Sequence, residues 1–510
     1  MGVRVATGDR AEEGGHRAAL SAGLVIGALL FLLAVHLAAA SFIPLDADEA
    51  YYFYWSQFPG WGYYDHPPMV AWWMAAGTTI FGDSPFGIRF LPLLSVVPST
   101  VAVYLTGRVF FDRATALRAA LWTNLTFLAA VAGFLATPDP PVLMFWSFAT
   151  LAFAMVVRSG NGAWWLLVGA FAALAILSKL TGLFFGLGIL LCLLAEPGLR
   201  HWLVRPWTWA GALVAAIVIS PMVAWNADHD WVTWTKQASR MIGTDFEPAH
   251  FPEFAITQFA MLNPLIGIFV GLGVVLWLRR SPAPRQPGIG ILIWTVLPFF
   301  AYMTIHAFHD QVQPLWLAPA FPTLALVATA AATEAGALWW RVLAPLVLPL
   351  GVGAVLVGLV GEIDPGDIVP GYLDPFREIR DWPAFASAVE ALRDESGAAW
   401  IAPIGWAENA ELRYHLHGRA TTTPIFERVR YTFAPPPDPA LLNAPALLVS
   451  HVPANPTLKN CFATLTPVGS VTRRSGGGDI QAYFVYLATG TDAGVFTPGC
   501  DRLRRKAGKG

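Results

Sequence analysis

Charge is scarce in this chain: 13% of its 510 residues are Asp, Glu, Lys or Arg, while 55% are hydrophobic. A soluble domain carries about 25% charged residues. An ordinary soluble protein is therefore excluded, and a helical membrane bundle is expected to take most of the length. The net charge of −2 offers no basic surface for nucleic acid. Cysteine is also rare. Cys192 lies in an apolar run and reads as packing, while Cys461 and Cys500 share a polar C-terminal stretch in which a single bridge could form. No glycine-rich phosphate loop occurs, which leaves a nucleotide without its usual cradle, and no internal repeat marks the chain as a repeat-built transporter.

Long apolar runs are abundant. Residues 1–17 are polar and hold Arg4, Arg10 and Arg17, as expected of a disordered cytoplasmic tail. Runs near 18–42, 87–109, 117–135, 141–157, 164–177, 182–194, 209–223, 256–278, 290–305, 315–332 and 342–360 give about eleven candidate spans. With the N-terminus inside, the inner loops collect Arg108, Arg113, Arg118, Arg158, Arg200, Arg205, Arg279, Arg280, Arg285 and Arg341. The short outer loops hold only Arg89, Lys179, Lys236 and Arg240, so the bias of basic residues supports this orientation. The expected architecture is an all-α polytopic bundle over residues 18–360 with an outer juxtamembrane loop at 43–86, followed by a small α/β extracytoplasmic domain at 361–510. In that domain 382–393 reads as helix, and 399–403, 446–451 and 481–488 read as strands.

The outer loop has the densest chemistry. Asp46, Asp48, Glu49 and Asp65 sit among a run of aromatic residues, DADEAYYFYWSQFPGWGYYDHPPMV. Acids seek water or a cation and aromatic rings seek apolar surface, and a lipid-water interface supplies both. A carboxylate partly desolvated at a membrane mouth gains basicity, which suits Asp48 or Glu49 to general-base work; a solvated acid capping the following helix is the plainer alternative. Asp65 and His66 precede Pro67 and Pro68, which should start a helix. His66 could serve as a phosphate-binding cation, a proton carrier or a metal ligand, or simply bond to nearby backbone. Asp139 in TPDPP reads as a helix cap, and Lys179 in SKLTG as a snorkelling cation or a phosphate ligand. The HAFHD stretch, with His306, His309 and Asp310, lacks a further assured ligand for a divalent metal. Trp225, Trp231 and Trp234 read as an interfacial belt or a sugar-binding face.

DADEAYY after the first span, YYDHPPMVAWW, FGIRF, TPDPPVLMFW, LSKLTG and SPMVAWNADHDW occur in order. Together they resemble the lipid-phosphate-sugar-dependent glycosyltransferases related to dolichyl-phosphate-mannose protein mannosyltransferases, which have the C-type glycosyltransferase fold. The bacterial branch that includes the lipid A aminoarabinose transferase is most similar in pattern. The resemblance covers about two-thirds of the chain and implies transfer of a sugar from a polyprenyl-phosphate donor to a lipid, glycan or protein acceptor at the outer face of a bacterial inner membrane. It implies catalytic roles for Asp48, Glu49 and Asp65, and substrate contacts from Tyr64, His66, Arg89, Asp139 and Lys179. His66 stands where the aminoarabinose branch carries lysine. No cofactor is implied with certainty, and a divalent metal is an open option. The rival reading is a transporter or flippase for a lipid-linked sugar.

Overall fold

A computed structural model describes residues 22–241, 245–279, 287–334, 337–363, 376–455, 458, 461–475 and 478–490. Helix α1 (Ala22–Phe42) leads into the short α2 (Ala47–Ser56) and the apolar α3 (Met69–Phe81). Helices α4 (Pro85–Leu94) and α5 (Val96–Phe110) run on as one span; α6 (Arg113–Thr123) and α7 (Phe127–Ala132) are short. The bundle continues through α8 (Asp139–Ser159), α9 (Trp164–Ser178), α10 (Leu183–Ala195), α11 (Pro206–Asp228), α12 (Val232–Met241), α13 (His250–Met261), α14 (Pro264–Leu278), α15 (Pro287–His306), α16 (Phe321–Glu334) and α17 (Ala337–Ile363). Large apolar side chains lie on the outside of α1 and α11, among them Leu24, Leu30, Phe31, Leu213 and Ile217, as lipid contact requires. The chain is a multi-pass membrane protein.

Six described helices are long and apolar enough to cross a membrane, or seven if α13 and α14 count as one, rather than the eleven expected. The shorter apolar helices Met69–Phe81, Trp164–Ser178, Leu180–Ala195 and Val342–Gly358 account for much of the difference. Two expected spans are broken by polar side chains that take over backbone hydrogen bonds. Within 117–135, Asn124 donates to Ala120 O at 2.9 Å, and the Thr126 hydroxyl accepts from Ala129 N at 3.2 Å and starts α7. Within 256–278, Asn263 adopts φ 74° and accepts from Leu265 N at 3.2 Å, Pro264 removes a donor, and α13 meets α14 at 105°.

Residues 43–86 hold α2 and α3, the helices expected after Asp46 and after Pro68, and α3 packs on α4. The two helices touch at Gly77, where a Cβ would stand 2.2 Å from Gly87 O, so only glycine fits.

The C-terminal α/β region has a four-stranded sheet in the order β1-β2-β4-β3, with β1 (Trp400–Pro403) parallel to β2 (Ala446–Ser450) and the other pairs antiparallel. Strands β3 (Thr464–Ser475) and β4 (Gly478–Thr489) form a hairpin; α18 (Trp382–Ser396), α19 (Trp406–Leu416) and the one-turn α20 (Pro439–Leu442) complete the region. The expected helix and three strands lie where the sequence placed them, whereas β3 and α19 went unread. Strand β3 is largely exposed and polar, so it lacks an apolar alternation. Helix α19 packs directly on α2. Cys461 is in a disulfide and Cys192 is free and buried, while Cys500 lies outside the described residues, as do residues 1–17.

Candidate active site

A reciprocal cap fixes the first turn of α2. The Asp46 carboxylate accepts from Asp48 N at 2.9 Å, and Glu49 Oε2 accepts from Asp46 N at 3.0 Å. Adjacent helical residues point about 100° apart, so this turn sends Asp48 and Glu49 to different surroundings. Glu49 turns inward. Its Oε1 accepts from Arg89 Nε at 2.8 Å and from Ala136 N at 2.7 Å, and its Oε2 stands 2.5 Å from Arg89 Nη2. The remaining Arg89 donors go to the carbonyls of Ala40, Ile43 and Pro44. Both side chains are wholly buried, and they satisfy one another. Arg89 thus ties the end of α1 to α2 and does not face open space.

Two further acids are paired. Asp65, just before α3, meets the Arg430 guanidinium through Oδ2. The Tyr51 hydroxyl lies 3.1 Å from Asp65 Oδ2 and 2.9 Å from Arg430 O, and donates to one of them at a time. Asp65 Oδ1 is buried and has no hydrogen-bond partner. Asp139, in the first turn of α8 rather than at its cap, forms an ion pair of 2.7 Å with Lys179, which lies where α9 ends. Lys179 is thereby held inside the protein instead of snorkelling to a lipid surface.

Asp48 is different. Among the described residues its carboxylate has no ion-pair partner. Burial, and then the charges of Asp46 and Asp65, push it up to about 7, with Arg430 and Arg240 pulling the other way. Burial likewise raises Asp46. His66 is held well below the usual imidazole range by burial and by the fields of Lys179, Arg240 and Arg430, which disfavours the cationic ring. Tyr64 lies between two cations: Lys236 Nζ is 5.5 Å and the Arg430 guanidinium 5.6 Å from its ring centre.

The structure therefore gathers Asp48, Asp65, Tyr64 and His66 around Arg430, with Lys179 close enough to act on His66 and with Glu49 and Arg89 buried behind them. Arg430, Arg240 and Gln237 were missed as site residues. Gln237 Nε2 donates to Asp65 O at 2.6 Å and Thr233 Oγ1 to Tyr63 O at 2.6 Å, so one face of α12 clamps the 63–65 segment. The i, i+4 pairs Thr233/Gln237 and Lys236/Arg240 were a visible signal of a polar helix face. Nothing in the sequence linked Arg430 to Asp65, 365 residues away. In HAFHD, His309 Nδ1 lies 3.1 Å from Asp245 O and Asp310 accepts from Gln311 N. Among the described residues no three His, Cys, Asp or Glu side chains group as metal ligands would. Beside Asp139 opens a narrow, mostly apolar cavity of about 90 Å³, walled by Pro92, Val96, Leu143, Leu315 and Phe321.

Residues 65–225 match the sequence profile of the dolichyl-phosphate-mannose-protein mannosyltransferase family. The match covers about a third of the chain. It holds Asp65, His66, Arg89, Asp139 and Lys179, while Asp48 and Arg430 fall outside it. Among curated relatives, a lipid A galacturonosyltransferase, RgtD of Rhizobium johnstonii, is 29% identical over 54% of this chain and 58% of its own length. An undecaprenyl phosphate-alpha-4-amino-4-deoxy-L-arabinose arabinosyl transferase of Pseudomonas fluorescens is 27% identical over 53% of this chain and 50% of its own. The chain thus spans about half the length of the curated relatives it matches. In fold it is similar to ArnT from Cupriavidus metallidurans, solved bound to undecaprenyl phosphate, with a TM-score of 0.64 at 16% identity over 91% of this chain and 98% of that one.

Proposed function

We propose that the chain is an inverting glycosyltransferase that moves a sugar from a polyprenyl-phosphate donor to an acceptor hydroxyl at the outer, periplasmic side of the bacterial inner membrane. Lipid A or another envelope glycan is the favoured acceptor class, since the galacturonosyltransferase relative is named for lipid A. The observation that carries the reading is Asp48. Of the acids gathered here, Glu49, Asp65 and Asp139 are in ion pairs and Asp46 caps a helix, whereas Asp48 has no ion-pair partner among the described residues and its surroundings push it up to about 7. A base is most effective when its pKa lies near the working pH.

Asp48 accepts the proton of the acceptor hydroxyl as its oxygen attacks the anomeric carbon from the side opposite the phosphate. The bond from that carbon to the phosphate oxygen breaks, and the lipid phosphate departs with the electron pair. One displacement inverts the centre. Lys179 and Arg240 stabilise the charge growing on the phosphate, and His66, whose surroundings disfavour the charged ring, contributes an N–H. Asp65, held by Arg430, orients sugar or acceptor, and Tyr64 lies in reach of the Lys236 and Arg430 cations. Glu49 and Arg89 are positioning residues that set the start of α2. The apolar cavity beside Asp139 suits the first units of a prenyl chain.

The test is sugar transfer in proteoliposomes from a panel of polyprenyl-phosphate hexoses, hexuronic acids and aminopentoses, comparing the parent protein with Asp48→Asn at equal folded yield. Transfer lost in the variant supports the reading. Transfer that survives the substitution removes Asp48 as base, and the absence of turnover with every donor sinks the transferase.

A further inference from the structure

Two basic turns meet at the end of the bundle away from Asp139 and Lys179. Helix α8 starts at Asp139 and runs 21 residues to Ser159, about 30 Å along its axis, with Arg158 in the last turn. The turn that follows touches the start of α11, where a Cβ on Gly162 would stand 2.3 Å from the Trp207 ring. A 3-10 segment, Arg200–Val204, joins α10 to α11 and packs at the same place, with the Trp202 and Trp165 ring centres 6.0 Å apart.

The arginines here are presented rather than neutralised. Arg200 donates from Nε to Leu194 O at 2.9 Å, in the last turn of α10. That bond fixes the guanidinium and leaves its Nη groups without a partner among the described residues. Arg158 and Arg205 are exposed and make no ion pair among the described residues. The acid closest in sequence to Arg200, Glu196, accepts from Trp294 Nε1 at 3.1 Å.

Beside these charges lie large apolar side chains that a loop in water would not display. Val204, Trp207 and Trp209 are 81%, 46% and 66% exposed. Leu187, Leu190 and Leu194 form an outward stripe on α10, and Leu213 and Ile217 extend the line of Trp209 along α11. Guanidinium groups with indoles beside them, at the head of two apolar stripes, fit a phosphate, an interfacial glycerol and acyl chains in turn.

We propose that the segment from Arg200 to Trp209 binds an anionic glycerophospholipid, with its phosphate on Arg200 and Arg205 and its acyl chains along α10 and α11. A zwitterionic headgroup would set its own ammonium against the same arginines, so the site selects for net negative charge. Nothing in this assignment depends on the transferase reading.

The experiment is native mass spectrometry of the purified full chain, delipidated in a neutral detergent and titrated with phosphatidylglycerol or with phosphatidylethanolamine. Phosphatidylglycerol is expected to bind roughly 25-fold more tightly, about fivefold for each of two arginines near a membrane surface. Arg205→Gln and Arg200→Gln should each lower that preference roughly fivefold, and the double variant should bring the two lipids level. The Arg205 side chain has no protein partner among the described residues, so its variant decides the matter if Arg200→Gln misfolds. Arg113→Gln, which alters an exposed arginine at the start of α6, should bind like the parent. Equal binding of the two lipids by the parent overturns the inference. A loss at Arg113 as large as that at Arg205 overturns it too, since the attraction would then be diffuse rather than seated in this segment. Sugar transfer plays no part in the readout, so this inference and the transferase reading fail separately.

Discussion

Asp48 and Glu49 are chemical near-twins on one helical turn, yet the fold treats them oppositely. Glu49 is wholly enclosed and accepts hydrogen bonds from Arg89 and from the backbone of Asp46 and Ala136, so its charge is spent on joining α1, α2 and the approach to α8. Asp48, partly exposed, makes no ion pair among the described residues, and its surroundings push it up to about 7. A buried acid with every lone pair engaged is architecture, whereas one with its oxygens open is available for work.

The sharpest break in this comparison comes from exchanging the two substitutions. Asp48→Asn should lower transfer by roughly 10²- to 10⁴-fold, the worth of a general base, with the folded yield unchanged. Arg89→Met should do the reverse: stranding Glu49 costs about 3–5 kcal/mol of stability, seen as a collapse of folded yield or of the unfolding temperature in detergent, while the surviving folded molecules retain transfer. A variant at Arg89 that folds normally but does not turn over would reverse the assignment.

Acidity sharpens the contrast further. Transfer should rise with pH through a limb near 7 as Asp48 loses its proton, then level off. Arg430 pulls the Asp48 value down, so Arg430→Gln should move that limb upward and lower transfer at pH 7 by several fold, as read from the pH dependence of kcat. The same shift acts on stability. The folded value of Asp48 lies above its ordinary 3.8, so between about 4 and 7 the unfolded chain sheds this proton first and Asp48 weakens the fold as pH climbs. Asp48→Asn should therefore raise the unfolding temperature at pH 8 more than at pH 5. The smallest effect concerns metal. With Lys179, Arg240 and Arg430 supplying positive charge, chelation with EDTA should leave transfer within about twofold; a complete loss restored by a divalent cation would require rewriting the charge stabilisation.

Composition, apolar runs and the basic-residue bias were enough to read a membrane bundle, and the crowding of acids after the first run was enough to single out 46–66. What stayed illegible was pairing. The sequence offered Glu49 and Asp48 equally, because their difference lies in Arg89, forty residues on, and in the backbone of Ala136. The breaks at Asn124 and Asn263 were hidden because one amide in an apolar run scarcely changes its average, although it can redirect a helix by capping its neighbours. Arg430 was invisible because charge, not spacing, connects it to Asp65.

That last contact has a consequence for how the protein is made. Asp65 emerges from the ribosome 365 residues ahead of Arg430, and until then it lacks its ion-pair partner. The membrane helices can be threaded and packed during synthesis, but the reactive pocket is finished only when the C-terminal region folds back onto α2. A half-made chain is a scaffold whose Asp65 has yet to meet Arg430.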